Sequence, residues 1–502
     1  MYRQLMLDKR NLTKIYIYEK LLTLDFSKYN LLWLSQFLNQ SYVKTVSIIE
    51  EIDSDLSTIN PGVSSIIAED HKVVLSSSLP EATVFISYVI QKDIPFHFLI
   101  NVVEEKYQSL GEFSERYYVS PSTVRRRLTP LNKFLRDYHV TLKLSTLEMI
   151  GDERNIRAIL TSLLWLSSRG IDLPISCIDF EETTNIIDNS LYIRPKNDQS
   201  SPSFLFRKLE ADISYHRIQK KHYVEDDPCY DLVISNDLLI NTNEWGKFVG
   251  APKEYQYAET RYMAFRQYSG QVFFEENDPI FDIPKDELSK RAPSLNLFLS
   301  EFTDFIIEEI FDFDLQDLAF SDISNVLKGN ISMVFFSYYV FKSNTPSLFV
   351  LTESKNMMNN KIFVHVYEKI KKKLTDLSRN ADFQWMSLCL KDISMVFAAM
   401  ILPDYELHAK QFHLVVSLIL ENDYIYNHKM EVFLRALPYI DYQVYSENIN
   451  IEEYDVVIAS SYVKPSENSQ NKFLKVSYSL NEKVFSELNS TLHDMFLEKN
   501  KI

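Results

Sequence analysis

The sequence predicts a multidomain, mainly α-helical protein: tandem winged helix-turn-helix units, then two helical bundles, then a C-terminal α/β domain. Three observations predict this. A helix, turn, helix spacing of apolar residues occurs twice, 79 positions apart, and each copy runs into an alternating segment. Stretches rich in Phe, Tyr, Leu and Ile at helical spacing fill residues 172–400. After His413, short apolar runs alternate with a helical segment. A chain of 502 residues exceeds one core. The reading places domains at 1–79 (N-terminal segment and first winged unit), 80–171 (second winged unit), 172–290 and 291–406 (helical bundles) and 407–502 (α/β domain).

The second winged unit is the better marked. Leu110, Phe113 and Tyr117 give one apolar stripe, and Val124, Leu128, Leu131 and Leu135 give another. Between them, Ser120 suits an N-cap and Pro121 the first helical turn, where no N–H is required. Ser122, Arg126, Thr129 and Lys133 face away from the second stripe, with Arg125 and Arg127 flanking. This is the layout of a recognition helix. Ser122, Thr123 and Arg126 are placed for base edges, Arg125 and Arg127 for phosphates, and Lys133 lies on the same face. VTLKLSTLEMIGD from Val140 predicts a hairpin wing, with Lys143 set for a backbone contact. The competing reading of three adjacent arginines is a solvated helix face. Pro130, inside the stripe, removes the amide that would meet the Arg126 carbonyl and predicts a kink or split near Thr129.

In the first unit Leu31, Leu34, Leu38, Ser41, Thr45, Ile49, Ile52 and Leu56 take the matching positions, and SSIIAEDHKVVLS from Ser64 predicts another wing. Its outward residues are Val43, Lys44 and Ser47, followed by Glu50, Glu51, Asp53 and Asp55, whose carboxylates would repel phosphate. The first unit is expected to be the weaker reader, resting on Lys44 and Ser47.

Charge distribution agrees with a nucleic-acid-binding end without requiring it. Residues 1–150 hold 17 basic and 17 acidic residues, so the whole net charge of -16 lies after residue 150. Chance unevenness in an acidic protein would give the same pattern. Only 8 glycines occur, none beyond Gly329, and no Gly-rich phosphate cradle, HExxH or GxSxG is present, which argues against an enzyme. Cys177, Cys229 and Cys389 lie far apart, so neither a disulfide framework nor a cysteine metal site is expected, and no cofactor is implied. ISMVFFSYYVF from Ile331 and ISMVFAAMIL from Ile393 fall short of the roughly 18–20 apolar residues of a membrane span and predict buried core helices. No membrane partner is expected.

FSERYYVSPSTVRRRL, together with the order of parts along the chain, resembles the Mga/AtxA group of transcriptional regulators of Gram-positive bacteria, which includes virulence regulators. The resemblance implies a cytoplasmic DNA-binding activator whose partner is double-stranded DNA. It implies that the helical bundles are similar to phosphotransferase-system regulation domains (PRDs), in which histidines accept phosphate from phosphocarrier proteins. It also implies a C-terminal domain similar to a sugar-transporter IIB (EIIB) component, used for self-association, hence a homodimer.

Against that frame the phosphoacceptor candidates of the first bundle are His216 and His222, with Arg217, Lys220 and Lys221 as basic neighbours. Phe206, Leu209, Ile213 and His216 share a helical side, so a packed core histidine is the competing reading for His216. The matching helix of the second bundle, NISMVFFSYYVFK, has no histidine. His365, in KIFVHVYEKIKKKL, reads as a partly buried residue. ENDYIYN stands where a IIB domain carries its cysteine, so phosphotransfer by the C-terminal domain is not expected. Two rivals remain: a phosphotransferase-linked RNA-binding antiterminator, and a non-catalytic scaffold whose winged units bind protein. Tandem winged helices speak against the first, because RNA readers of that kind need a sheet-based module.

Overall fold

Helices in the N-terminal part start where a short polar side chain can accept an otherwise unpaired amide. Asp8 caps α2 (Lys9–Leu21), Asn30 caps α3 (Leu31–Phe37), Asp93 caps α6 (Ile94–Glu104), Ser109 caps α7 (Leu110–Arg116), Ser120 caps α8 (Pro121–Leu135) and Asp152 caps α9 (Glu153–Ser168). Around them lie α1 (Tyr2–Met6), α4 (Tyr42–Ile59) and α5 (Ala82–Gln91). The computed structural model describes residues 1–62, 65–68, 72–169, 175, 202–232, 245–269, 290–311, 318–408, 412–420, 423–444, 453–460, 473–477 and 479–500. They form two compact units, Met1–Pro293 with Ser332–Thr352, and Ser294–Ile331 with Glu353–Ile502. Cys177 and parts of the first wing (Ser64 and Glu69 to His71) lie outside the described residues.

In the first unit, β1 (Lys28–Asn30) pairs antiparallel with β2 (Lys72–Val74), and Val73 also bridges to Ile67. Ala68 donates to the Lys72 carbonyl at 2.9 Å and Val74 to the Ile66 carbonyl at 2.8 Å, which closes a hairpin after α4. After α8, β3 (Thr141–Lys143) pairs antiparallel with β4 (Glu148–Ile150). One contiguous set of buried side chains includes Met6, Ile49, Phe98, Leu131, Leu163 and Ile213, so both helix-turn-helix pairs are seated on the same core. Burying one Leu or Ile of that set contributes about 1.5–3 kcal/mol. Leu128→Ala, at a position without solvent exposure, would cost about 2–5 kcal/mol.

The helical body of this unit is carried by α10 (Pro202–Gln219) and α11 (Lys253–Tyr268). It is joined to α9 by charged groups. Arg157 binds Glu259 through two hydrogen bonds of 2.7 and 2.9 Å, both side chains wholly buried, and Val224 N–H donates to the same carboxylate at 3.0 Å. Each oxygen of the carboxylate thus has a donor, and removal of either half would leave a buried charge.

The second unit contains helices Pro293–Phe305, Lys361–Leu377 and Leu390–His408. The ISMVFAAMIL run is buried in the last of these; ISMVFFSYYVF is largely buried in the helix Leu318–Phe341, whose part from Ser332 on belongs to the first unit. Among the described residues no single helix is long and apolar enough to cross a membrane. His365 is helical and lies toward the exposed side of Lys361–Leu377, its ring against Tyr405 and Phe412, while Ile362, Phe363, Val366 and Tyr367 take the inward face. The C-terminal part is a parallel sheet in the order β6 (Ile440–Val444), β5 (Leu414–Ile419), β7 (Val456–Ser460), β8 (Phe473–Val476). Helices Tyr424–Arg435 and Glu482–Lys499 accompany it. The short apolar runs after His413 form β5, β6 and β7; β8 and the last helix have no counterpart in the sequence reading.

Candidate nucleic-acid interface

The α7–α8 pair is set by its turn. Tyr118 adopts a positive φ of 53°, Val119 donates to the Ser114 carbonyl at 3.0 Å, and the Ser120 hydroxyl accepts from Thr123 N–H at 3.2 Å. Pro121 occupies the first turn. Val124, Leu128, Leu131 and Leu135 have no solvent exposure, which fixes the opposite face outward. There Ser122, Arg125, Arg126, Thr129 and Lys133 are exposed. Neither Arg125 nor Arg126 has an ion-pair partner among the described residues, so both guanidinium groups can meet an incoming anion. Thr123 is half-buried and its hydroxyl lies 2.9 Å from that of Ser120; the Ser122 hydroxyl lies 2.8 Å from the same oxygen. Thr123 is thus mainly part of the cap.

Two expectations for this helix are corrected. Arg127 does not flank the outward face: its side chain is only 11% exposed and pairs with Asp93, with Asp8 at 3.5 Å. At about 100° per residue it lies next to the apolar stripe, where α2 and α6 present their capping carboxylates. It is a structural tie. Pro130 does not split the helix, since α8 is continuous from Pro121 to Leu135. Pro130 is exposed, so the Arg126 carbonyl that lacks its amide is on the side open to water.

The hairpin beside α8 is anchored to it, Leu142 N–H donating to Asn132 Oδ1 at 3.1 Å. Lys143 is exposed, with its ammonium 3.4 Å from Glu148 across the hairpin. Such a surface pair contributes about 0–1 kcal/mol and yields readily to a stronger anion.

In the first unit Lys44 is exposed and donates to Gln40 at 2.8 Å. Ser47 is half-buried and accepts from Arg10 at 2.9 Å, so its hydroxyl is occupied. The acidic face expected of α4 is corrected as well. Glu51 accepts from Arg10 Nε at 2.7 Å and lies 3.2 Å from Lys14. Asp55 is buried between Lys14 at 2.9 Å and Lys92 at 3.2 Å, and Asp53 accepts from Ile66 N–H at 2.7 Å. Burial works against the Glu51 carboxylate, but hydrogen bonds from Arg10 and Lys14 hold it below the usual carboxylate range. These carboxylates hold α2 and the hairpin in place; only Glu50 remains exposed. Arg10, Lys14, Lys92 and Asp93 were not singled out from the sequence. The Asp93-Ile94-Pro95 capping signal was readable there, but not its partner Arg127.

The two histidines differ. His216 Nε2 is buried without a hydrogen-bond partner among the described residues, and burial, aided by Lys220, lowers its basicity. His222 is one-third exposed and its Nε2 lies 2.5 Å from Glu105 Oε1, at the C-terminus of α6. It borders a cavity of about 270 Å³ also lined by Glu105, Glu148, Glu153 and Arg217. Arg217, expected as a phosphate neighbour, is instead buried and bound to Glu153 at 2.7 Å and to the Val102 carbonyl at 3.0 Å. Lys220 and Lys221 are exposed.

Residues 81–164 match the family model described as the Mga helix-turn-helix domain, which spans α5 through most of α9 and so contains α7, α8 and the β3–β4 hairpin. No curated protein matches the chain. The chain therefore carries a Mga helix-turn-helix domain, consistent with a Mga-family regulator.

Proposed function

We propose that the protein is a transcription regulator of the cytoplasm that binds duplex DNA chiefly through α8, with Arg126 and Ser122 on base edges, Arg125 and Lys133 on phosphates, and Lys143 on the backbone beside the groove. The observation that carries this is the pair Arg125 and Arg126, exposed and without ion-pair partners among the described residues, on a capped helix whose other face is locked in the core. Their guanidinium forks match guanine and phosphate. α4 is read as a second recognition helix, weaker because the corresponding arginines are absent.

Regulation is read in the helical body. Phosphate on His222 would replace the Glu105 contact and sit among Glu105, Glu148 and Glu153, so like-charge repulsion would loosen the attachment of α6 and of the hairpin. His216 would have to turn outward before its Nε2 could be modified. The C-terminal domain, an open parallel sheet without a cysteine, is read as a module for homodimer formation. The test is retention of the full chain on duplexes from a random pool, repeated with Arg125→Ala/Arg126→Ala and with an RNA hairpin. Sequence-selective retention on DNA that the double variant loses is expected. Equal retention by the double variant, or preference for RNA, overturns the assignment.

A further inference from the structure

The two helix-turn-helix pairs share a core and a register but not an outward chemistry. With the offset of 79, Tyr42, Val43, Lys44 and Ser47 of α4 stand where α8 has Pro121, Ser122, Thr123 and Arg126. Ser47 is engaged by Arg10, so the position matching Arg126 offers no open donor. What α4 does present at its N-terminal turn is apolar: Val43 is 77% exposed and Tyr42 49%. Neither belongs to the set of core side chains, and the helix beneath them is fixed by Thr45, Ile48, Ile49 and Ile52, all without solvent exposure.

Exposed apolar side chains at the leading turn of a helix placed like α8 have one complementary feature on the major-groove edge of DNA, the C5-methyl group of thymine. The charge of the surroundings agrees. Residues 26–49 contain Lys28 and Lys44 and no aspartate or glutamate, in a chain where acidic residues outnumber basic ones 69 to 53. Of the carboxylates that follow, Glu51, Asp53 and Asp55 are bound within the fold, and only Glu50, seven residues beyond Val43, is exposed. We propose, resting on the DNA-binding reading, that α4 selects thymine through its methyl group, with Val43 and Tyr42 as the specificity-determining side chains and Lys44 on the adjoining phosphate.

The experiment uses the full chain and a duplex selected from a random pool. Thymines are replaced one at a time by deoxyuridine, which removes only the methyl, and affinity is followed by fluorescence anisotropy. For the native protein we expect at least one position at which this costs roughly three- to five-fold, the scale of one buried methyl. Val43→Ala, whose fold is verified by its circular dichroism melt, is expected to weaken binding to the thymine duplex and to abolish the deoxyuridine penalty at that position. Arg126→Ala should leave that penalty in place. Indifference of the native protein to deoxyuridine at every position, or a penalty that Val43→Ala retains, overturns the inference while sequence-selective binding through α8 stands. Failure to retain any duplex removes the DNA reading and this inference together.

Discussion

α4 and α8 are two copies of one packing solution with different faces turned outward. Both are held by a buried stripe, Thr45, Ile49, Ile52 and Leu56 in one, Val124, Leu128, Leu131 and Leu135 in the other. α8 exposes Ser122, Arg125, Arg126 and Lys133, whereas α4 exposes Tyr42, Val43 and Lys44 and turns its downstream carboxylates to Arg10, Lys14 and Lys92. The difference teaches that charge on a helix does not reveal its direction. Arg127 adjoins two outward arginines yet belongs to the scaffold, and Asp55 looks like a repulsive surface group yet lies buried.

The largest expected effects test that distinction between scaffold and surface. Arg127→Ala leaves Asp93, which is 6% exposed, without its cation, and should cost about 3 kcal/mol of unfolding free energy. Urea denaturation measures this, and the salt dependence of DNA binding by the folded fraction should be unchanged. A lower salt slope with normal stability would return Arg127 to the DNA surface. Asp55→Ala, which leaves Lys14 at 10% exposure with Glu51 as its remaining carboxylate, should destabilise by less, about 1.5–3 kcal/mol, without raising DNA affinity. A gain in affinity at unaltered stability would restore the view that α4 repels phosphate.

Smaller effects are expected on the outward face of α8. Arg126→Ala should cost about 1–3 kcal/mol of binding and relax preference at one or two base pairs. Arg125→Ala should weaken all sequences alike and reduce the slope of log affinity against log salt by about one. If the two variants behave identically, base and phosphate roles are not divided between them as their positions suggest.

Much of this was legible in the sequence because it rests on local rules. Ser120-Pro121, the 3.6-residue stripes and the alternating run after Val140 need only nearest neighbours, and each produced its element. The fate of individual charges was not legible. Arg127 meets Asp93, Arg10 meets Glu51, and Arg217 meets Glu153, across separations of 34, 41 and 64 residues. Periodicity carries no information about such partners. The same limit explains the acidic face wrongly assigned to α4 and the phosphate neighbour wrongly assigned to Arg217. The continuity of α8 through Pro130 was missed for a different reason: proline removes a donor, but the orphaned carbonyl faces water, and the stripe on the other side is deep enough to hold the helix together.

The mildest prediction separates the two pairs by acid. His97 of α6 stacks on Tyr117 at the end of α7, ring centroids 4.2 Å apart, and the first pair has no such histidine among its described residues. Burial, aided by Arg116, lowers its basicity in spite of Asp93 nearby, so the folded state favours the neutral ring. The unfolded chain therefore takes up the proton first as acid is added. The contribution of His97 is complete above its unfolded pKa of about 6.5 and is lost as pH falls from there through the lower folded value. Protection factors of the α6 and α7 amides, which allow for the slowing of intrinsic exchange by acid, should fall as pH drops below about 6.5 while those of α3 and α4 stay level. His97→Phe, which keeps the stacked ring and removes the titrating nitrogen, should flatten the response. A pH response of equal size in α3 and α4, or one that survives His97→Phe, would show that the ring does not set the acid sensitivity of the α6–α7 contact.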